Sequence, residues 1–167
     1  RGVGFSSDGR WLALNPVSRA GFQLVVARLT EDGALGEPRI IFTSEHEAWY
    51  ALLSHDGSRA AMISTVRAGG QRRYSTIVLD TASGEIVAEL WDGPEASVEA
   101  VCFAPLPGDL RLLATTSRSG FVRPLIWDTA SGARIDFDLP ELGGEVMALD
   151  WSPDGRFLLL CQIDRAE

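Results

Sequence analysis

Cysteine and histidine are scarce in this chain, with two of each among 167 residues. Cys102 and Cys161 fall inside different predicted strands, so we expect two buried free thiols, as in a cytoplasmic protein. A disulfide or a metal role is the less favoured alternative. Apolar runs of transmembrane length are also lacking and no N-terminal signal segment is visible, so we expect no contact with membranes.

Lysine is absent, and all 15 basic residues are arginines. They are outnumbered by 23 acidic residues, which gives the chain a net charge of −8. Phosphate binding requires clustered basic side chains, so this charge argues against a nucleic-acid partner. The one dense basic run, residues 67–73, is interpreted as a solvated loop in preference to a binding patch.

Signatures of a catalytic site are lacking as well. The Gly-x-Ser-x-Gly elbow of α/β-hydrolases does not occur, since Ser6 lacks the second glycine. His46 and His55 are predicted to be exposed loop residues with no nucleophile nearby. Glu45 and Glu47 flank His46, but three ligands on one short loop are weak grounds for a metal site. We therefore predict no catalytic, cofactor-binding or metal-binding residue, and no cofactor.

What the chain does contain is one hairpin pattern in four copies. Each copy has a large apolar anchor, then Ser or Ala, then a turn with Asp and Gly, and then an apolar return strand. The anchors, spaced by 48, 50 and 48 residues, are Phe5, Leu53, Phe103 and Trp151. A period near 50 built on a hairpin indicates a repeat protein whose unit is all-β.

Aspartate and glycine define the turns. Asp accepts backbone N–H groups inside a turn, and Gly adopts the positive φ that reverses the chain. Structural turn roles are therefore predicted for Asp8, Gly9, Asp56, Gly57, Asp154 and Gly155. A second turn, Asp-Thr-Ala-Ser-Gly, ends in Gly84 and Gly132. The third hairpin has the reversed order Gly108-Asp109, which predicts a slightly longer turn of the same kind.

The repeat divides the chain into four-stranded units. We predict one all-β segment over residues 1–167, with blades at 1–44, 45–94 and 95–141 and half a blade at 142–167. Such units indicate a partial β-propeller of about three and a half four-stranded antiparallel blades. Strands such as Leu158-Leu159-Leu160-Cys161 are apolar at nearly every position, which favours sheets packed on both faces over a one-sided sandwich.

The hairpins and the Asp-Thr-Ala-Ser-Gly turns resemble the PD40 or TolB-type blades in propellers of the prolyl-oligopeptidase family of serine peptidases. Residues 123–162 are similar to bacterial acylaminoacyl-peptidase-like members of that family. WD40 repeats fit less well, because they are shorter and have a Gly-His pair where this chain has Glu45-His46. Sialidase-type Asp boxes separate Asp from Gly by one residue, whereas the two are adjacent here.

The resemblance implies a non-catalytic propeller part of a serine peptidase, which gates access of short peptides to a hydrolase domain absent from this chain. Its partners would be the remainder of the propeller, that hydrolase domain and the parent's peptide substrate. The alternative is a TolB- or WD40-like scaffold for protein–protein interaction. A third option, an enzyme with its own channel site, has only Glu99 and Asp150 as candidate charges. Three and a half blades leave two faces open, so we expect the isolated segment to self-associate.

Overall fold

The computed structural model describes residues 2–164, in which four antiparallel sheets follow one another along the chain. The first sheet contains β1 (Val3–Phe5), β2 (Trp11–Leu14), β3 (Val17–Ser18), β4 (Gly21–Arg28) and β5 (Arg39–Ser44). The second contains β6 (Ala48–Leu53), β7 (Arg59–Ser64), β8 (Ser75–Asp80) and β9 (Ile86–Leu90). The third contains β10 (Val98–Phe103), β11 (Arg111–Thr116), β12 (Arg123–Asp128) and β13 (Arg134–Asp136). The fourth contains β14 (Glu145–Trp151) and β15 (Leu158–Ile163).

The predicted all-β fold with four-stranded antiparallel sheets is confirmed. The first sheet has an additional short strand, β3, which forms a tight hairpin with β4, and Gly21 at the start of β4 has φ 103°. The fourth strand of the third sheet is short and ends at Asp136. Within residues 2–164 there is no helix that could cross a membrane.

The Asp-Gly hairpins are closed by a repeated set of hydrogen bonds. In the first, Ser6 Oγ donates to Asp8 Oδ1 at 2.6 Å and accepts the N–H of Trp11 at 2.9 Å, while Gly9 has φ 71°. The same bonds recur around Ser54 and Ser152. In the second kind of turn, Asp80 and Asp128 each accept two backbone N–H groups. The glycines that follow, with φ between 67° and 79°, are Gly57, Gly84, Gly132 and Gly155.

The first strand of each sheet, which we call the inner strand, lies beside the inner strands of its neighbours. Contacts join β1 to β6, β6 to β10, and β10 to β14. A β-bulge interrupts the pairing of β6, β10 and β14 at equivalent places. In β6 the bulge places Tyr50 and Ala51 opposite the single residue Met62. Because a bulge inserts one residue, it changes which side chains after it face the neighbouring sheet.

Successive sheets pack face to face through apolar side chains. In β7, Ala60 and Met62 pack toward the first sheet, whereas Ala61 and Ile63 pack toward the third. Both faces of this strand are therefore buried, which explains its continuous apolar sequence. The third and fourth sheets pack in the same way around Trp151, a buried anchor.

The two end sheets each leave one apolar face uncovered. Phe5 is 60% exposed, while the equivalent anchors Leu53, Phe103 and Trp151 are 6%, 6% and 8% exposed. At the other end Leu159 is 58% exposed, while the equivalent residues Ala13, Ala61 and Leu113 are fully buried. In the other sheets, the face that contains the anchor packs against the preceding sheet, and in the first sheet this face is exposed. The opposite face packs against the following sheet, and in the fourth sheet it is exposed. We call these the leading face and the trailing face.

Candidate functional site

Cavities lie along the inner strands, and one of them is lined by the residue that precedes each anchor. Gly4, Leu52, Cys102 and Asp150 occupy equivalent positions and border a cavity of about 160 Å³, the channel cavity. Gly4 is required by close packing of β1 against β6, since a Cβ at this position would lie 1.9 Å from the carbonyl oxygen of Ala51. The repeat therefore brings three different side chains and one glycine to one place.

Cys102 and Asp150 interact in the channel cavity, with Cys102 Sγ 3.6 Å from Asp150 Oδ1. Burial, with the adjacent Asp150 carboxylate, raises the pKa of Cys102 to about 12. The thiol is therefore protonated near neutral pH, and a protonated thiol is a poor nucleophile. Cys102 and Cys161 are both free, but each is half-buried. The prediction of buried thiols is wrong because Cys102 borders the channel cavity and Cys161 lies on the half-covered strand β15.

A second cavity of about 310 Å³ lies at the opposite ends of the inner strands from the Asp-Gly turns. Trp49, Tyr50, Ile63, Tyr74 and Glu99 line it, and we call it the aromatic pocket. Trp49 is held by an edge-on contact with the ring of Phe22, with 4.8 Å between ring centroids. Tyr50 has φ 69°, a left-handed conformation that a bulky residue rarely adopts.

Two carboxylates near the aromatic pocket have opposite surroundings. Glu47 accepts hydrogen bonds from Arg72 at 3.0 Å and from the hydroxyl of Tyr74 at 3.0 Å, and these partners lower its pKa. Burial raises the pKa of Glu99, which has no hydrogen bond or ion pair through its side chain with residues 2–164. Glu99 also raises the pKa of Tyr74, after burial and Glu47.

The histidines occupy different surroundings from each other. His46 is exposed, as predicted. His55 is half-buried, which the sequence did not predict, because its Nδ1 lies 2.7 Å from the carbonyl oxygen of Pro105 in the next sheet. Across residues 2–164, no three His, Cys, Asp or Glu side chains come close enough together to hold a metal ion, and this includes Glu45, His46 and Glu47.

One ion-pair cluster was missed by the sequence analysis. Arg134 on β13 donates to Asp92 at 2.5 and 2.9 Å and to Asp136 at 2.8 Å, and these partners raise its pKa against the effect of burial. Asp92 also accepts a hydrogen bond from Thr116. Asp92 lies in the link after β9, so the cluster ties the link between the second and third sheets to the third sheet. No local pattern joins residues 42 positions apart, so this cluster could not have been predicted.

The arrangement of the sheets is similar to that of several solved structures. The propeller domain of the Trilobed protease from Pyrococcus furiosus aligns with 99% of this chain and 49% of its own, with 14% identity and a TM-score of 0.63. This chain has the β-propeller fold. Prolyl oligopeptidase B from Galerina marginata aligns with 96% of the chain at 20% identity and a TM-score of 0.68. A TolB-type protein from Agrobacterium tumefaciens aligns with 98% of the chain and 69% of its own, with 15% identity and a TM-score of 0.57.

These similarities concern the propeller alone. The chain spans only 22% of the length of prolyl oligopeptidase B. No protein-family model and no curated protein sequence matches the chain. The likeness to propellers of prolyl oligopeptidase and TolB type agrees with the resemblance drawn from the hairpins and turns.

Proposed function

We propose that this chain is the non-catalytic part of a propeller in a serine peptidase of the prolyl-oligopeptidase type, where it gates the access of short peptides to a separate hydrolase domain. The observation that carries the proposal is the pair of open faces on a chain whose sheets align with peptidase propellers. Phe5 and Leu159 are exposed at positions that are buried in every other sheet. Further blades of the same ring are the partners that these faces fit.

The catalytic groups would come from the hydrolase domain. The thiol of Cys102 is protonated near neutral pH and is therefore a poor nucleophile. We therefore assign this chain to substrate admission, with the parent's peptide substrate passing the propeller before it reaches the hydrolase domain. The free, half-buried Cys102 and Cys161 fit a reducing compartment such as the cytoplasm.

The full-length protein provides the test. An active-site serine would react with a fluorophosphonate probe, and short blocked peptides would be hydrolysed while a long unfolded protein such as reduced casein would not. Labelling of the serine together with hydrolysis that does not depend on substrate length would contradict gating but retain the peptidase assignment. Absence of labelling would overturn the peptidase assignment.

A binding scaffold of TolB or WD40 type is the second candidate function. It is favoured by the TolB-type structure, of which this chain covers 69%. A scaffold requires no hydrolase domain, so the labelling experiment separates the two candidates. A partner protein recovered with the full-length protein, together with no fluorophosphonate labelling, would favour the scaffold.

Self-association of the chain on its own is the physical consequence of its open faces. The leading face and the trailing face are equivalent to the two sides of each internal contact between sheets. A second copy can therefore present its leading face to the trailing face of the first. Such a head-to-tail contact repeats without closing unless the rotation completes a ring.

A further inference from the structure

The aromatic pocket combines three aromatic side chains with one carboxylate. Trp49 and Tyr50 come from β6, Tyr74 precedes β8, and Glu99 lies on β10, so the pocket joins the second and third sheets. Its volume of about 310 Å³ is at the lower end of the range for small-molecule sites, which suits one short side chain or chain end. The polar groups of its lining side chains are the two phenols, the indole N–H of Trp49 and the carboxyl group of Glu99.

Glu99 is the charged group in this pocket, and its side chain is half-buried. Burial raises its pKa, and its side chain has no hydrogen bond or ion pair with residues 2–164. Neighbouring Glu47 differs, since Arg72 and Tyr74 already satisfy it. Glu99 is half-buried, so its carboxylate is partly withdrawn from water, and a cation placed beside it would replace the lost hydration.

The aromatic rings provide a second attraction for a cation. Faces of Trp and Tyr rings are electronegative and attract ammonium groups within about 6 Å of the ring centre. Tyr50 is placed here by the bulge in β6 and keeps φ 69°. Strained backbone of this kind in a bulky residue clusters at ligand-binding sites, where the surrounding fold maintains it.

We propose that the aromatic pocket binds an alkylammonium group, with Glu99 as its counter-ion and Trp49, Tyr50 and Tyr74 as its walls. An ammonium is compact, carries three N–H donors for the carboxylate oxygens, and fits beside aromatic rings. The amino terminus of a peptide and the side chain of lysine share this chemistry. The inference does not depend on the proposed peptidase function, because binding is measured without catalysis.

The test uses the full-length protein and n-butylammonium, with n-butanol as the uncharged probe of similar shape, in ligand-observed NMR or calorimetric titrations. We expect n-butylammonium to bind at least about 10-fold more tightly than n-butanol. Glu99→Gln, which keeps the size of the side chain, should remove that preference. Glu85→Gln makes the same charge change at an exposed position outside the pocket and should leave binding unchanged.

The aromatic walls are tested by a pair of variants at one position. Tyr50→Phe retains the ring and should retain binding, whereas Tyr50→Leu should weaken binding several-fold. Melting temperatures of all variants establish that each is folded. Equal binding of n-butanol and n-butylammonium, or unchanged binding by Glu99→Gln, would overturn the proposal.

Two competitors identify the source of the ammonium. Gly-Gly-amide has a free amino terminus, and Nα-acetyl-lysine amide has only the side-chain ammonium. Displacement of n-butylammonium by the first alone assigns the pocket to amino termini, and displacement by the second alone assigns it to lysine side chains. Failure of both to compete would overturn the assignment to a peptide-borne ammonium.

Discussion

Self-association through the open faces can be tested with a pair of complementary variants of residues 1–167 expressed alone. Phe5→Asp places a charge on the leading face, and Leu159→Asp places one on the trailing face. Each variant retains the other face intact. We expect the unchanged chain to form concentration-dependent oligomers and each variant alone to be monomeric, because a head-to-tail contact needs both faces. An equimolar mixture should form a 1:1 dimer through the two intact faces and grow no further.

The expected magnitude follows from the equivalent positions in the internal contacts. Phe5 would change from 60% exposed to the 6–8% of the other anchors. Since a Phe side chain can bury about 200 Å², about half of that area corresponds to about 2.5 kcal/mol at about 25 cal/mol per Å². Burial of Leu159, now 58% exposed, adds about 1.5 kcal/mol. Because about 1.4 kcal/mol is tenfold in affinity, loss of the Phe5 contact alone weakens association by about 60-fold.

Sedimentation velocity over a range of concentrations measures these species directly. Ile86→Asp is the control, since Ile86 is similarly exposed but lies on the outer strand β9. It should self-associate like the unchanged chain. A monomeric equimolar mixture would refute the head-to-tail contact. Dimers formed by Phe5→Asp alone would show that like faces pair, which also contradicts the reasoning.

Three further predictions concern the turns, the aromatic pocket and the channel cavity. Gly57→Ala should destabilise the full-length protein by about 1–3 kcal/mol more than Gly9→Ala, as measured by denaturant unfolding. The two glycines have the same φ, but only at Gly57 would the new Cβ approach the side chain of Trp11, at 2.3 Å. Burial raises the pKa of Glu99 above its ordinary value of 4.5. Ionisation of Glu99 therefore lowers the free energy of unfolding as pH rises through the folded pKa. Glu99→Gln should therefore raise the melting temperature at pH 7 more than at pH 4. Leu52→Trp should narrow the channel cavity and lower kcat/KM for peptides but not for a small ester.

Matched variants separate these effects from general damage. Val87→Trp introduces the same side chain as Leu52→Trp but on an exposed part of β9, so its peptide kinetics should be unchanged. Equal loss of ester hydrolysis by Leu52→Trp would show that the substitution acts elsewhere than on admission. Glu85→Gln should leave the pH dependence of melting unchanged, and a shift equal to that of Glu99→Gln would refute the assignment to Glu99. Equal destabilisation by both glycine variants would show that contact with Trp11 carries no cost.

The repeated parts of the fold were predictable because their chemistry is local. An Asp-Gly turn between apolar strands specifies a hairpin within ten residues, and its recurrence predicts the stacked sheets. The prediction from apolar strands that sheets are covered on both faces is met by β7 of the second sheet, whereas β15 of the end sheet is covered on one face only. Such features depend on turn geometry and on alternation along a strand.

Other features depend on contacts between sheets, and the sequence could not predict them. The bulge that gives Tyr50 its φ of 69° is set by pairing with β7. The sequence identified Glu99 only as an isolated charge, and its place beside Trp49 and Tyr74 could not be predicted because those residues belong to a different sheet. The sequence predicted an exposed turn residue at His55, because its contact with Pro105 joins two different repeats. In each case the partner lies in another strand or another repeat.

Neighbouring residues of the bulged inner strands have two different roles, packing between sheets and lining of the channel cavity. The anchors stay large and apolar because they stabilise the contacts between sheets, yet the residue before each anchor is different in every repeat: Gly4, Leu52, Cys102 and Asp150. Substitutions at Leu52, Cys102 and Asp150 change the size and charge of the channel cavity, whereas Gly4 is fixed by its close contact with the backbone of Ala51. A propeller built in this way can acquire a new selectivity one repeat at a time, at the three positions where the backbone leaves room for a side chain.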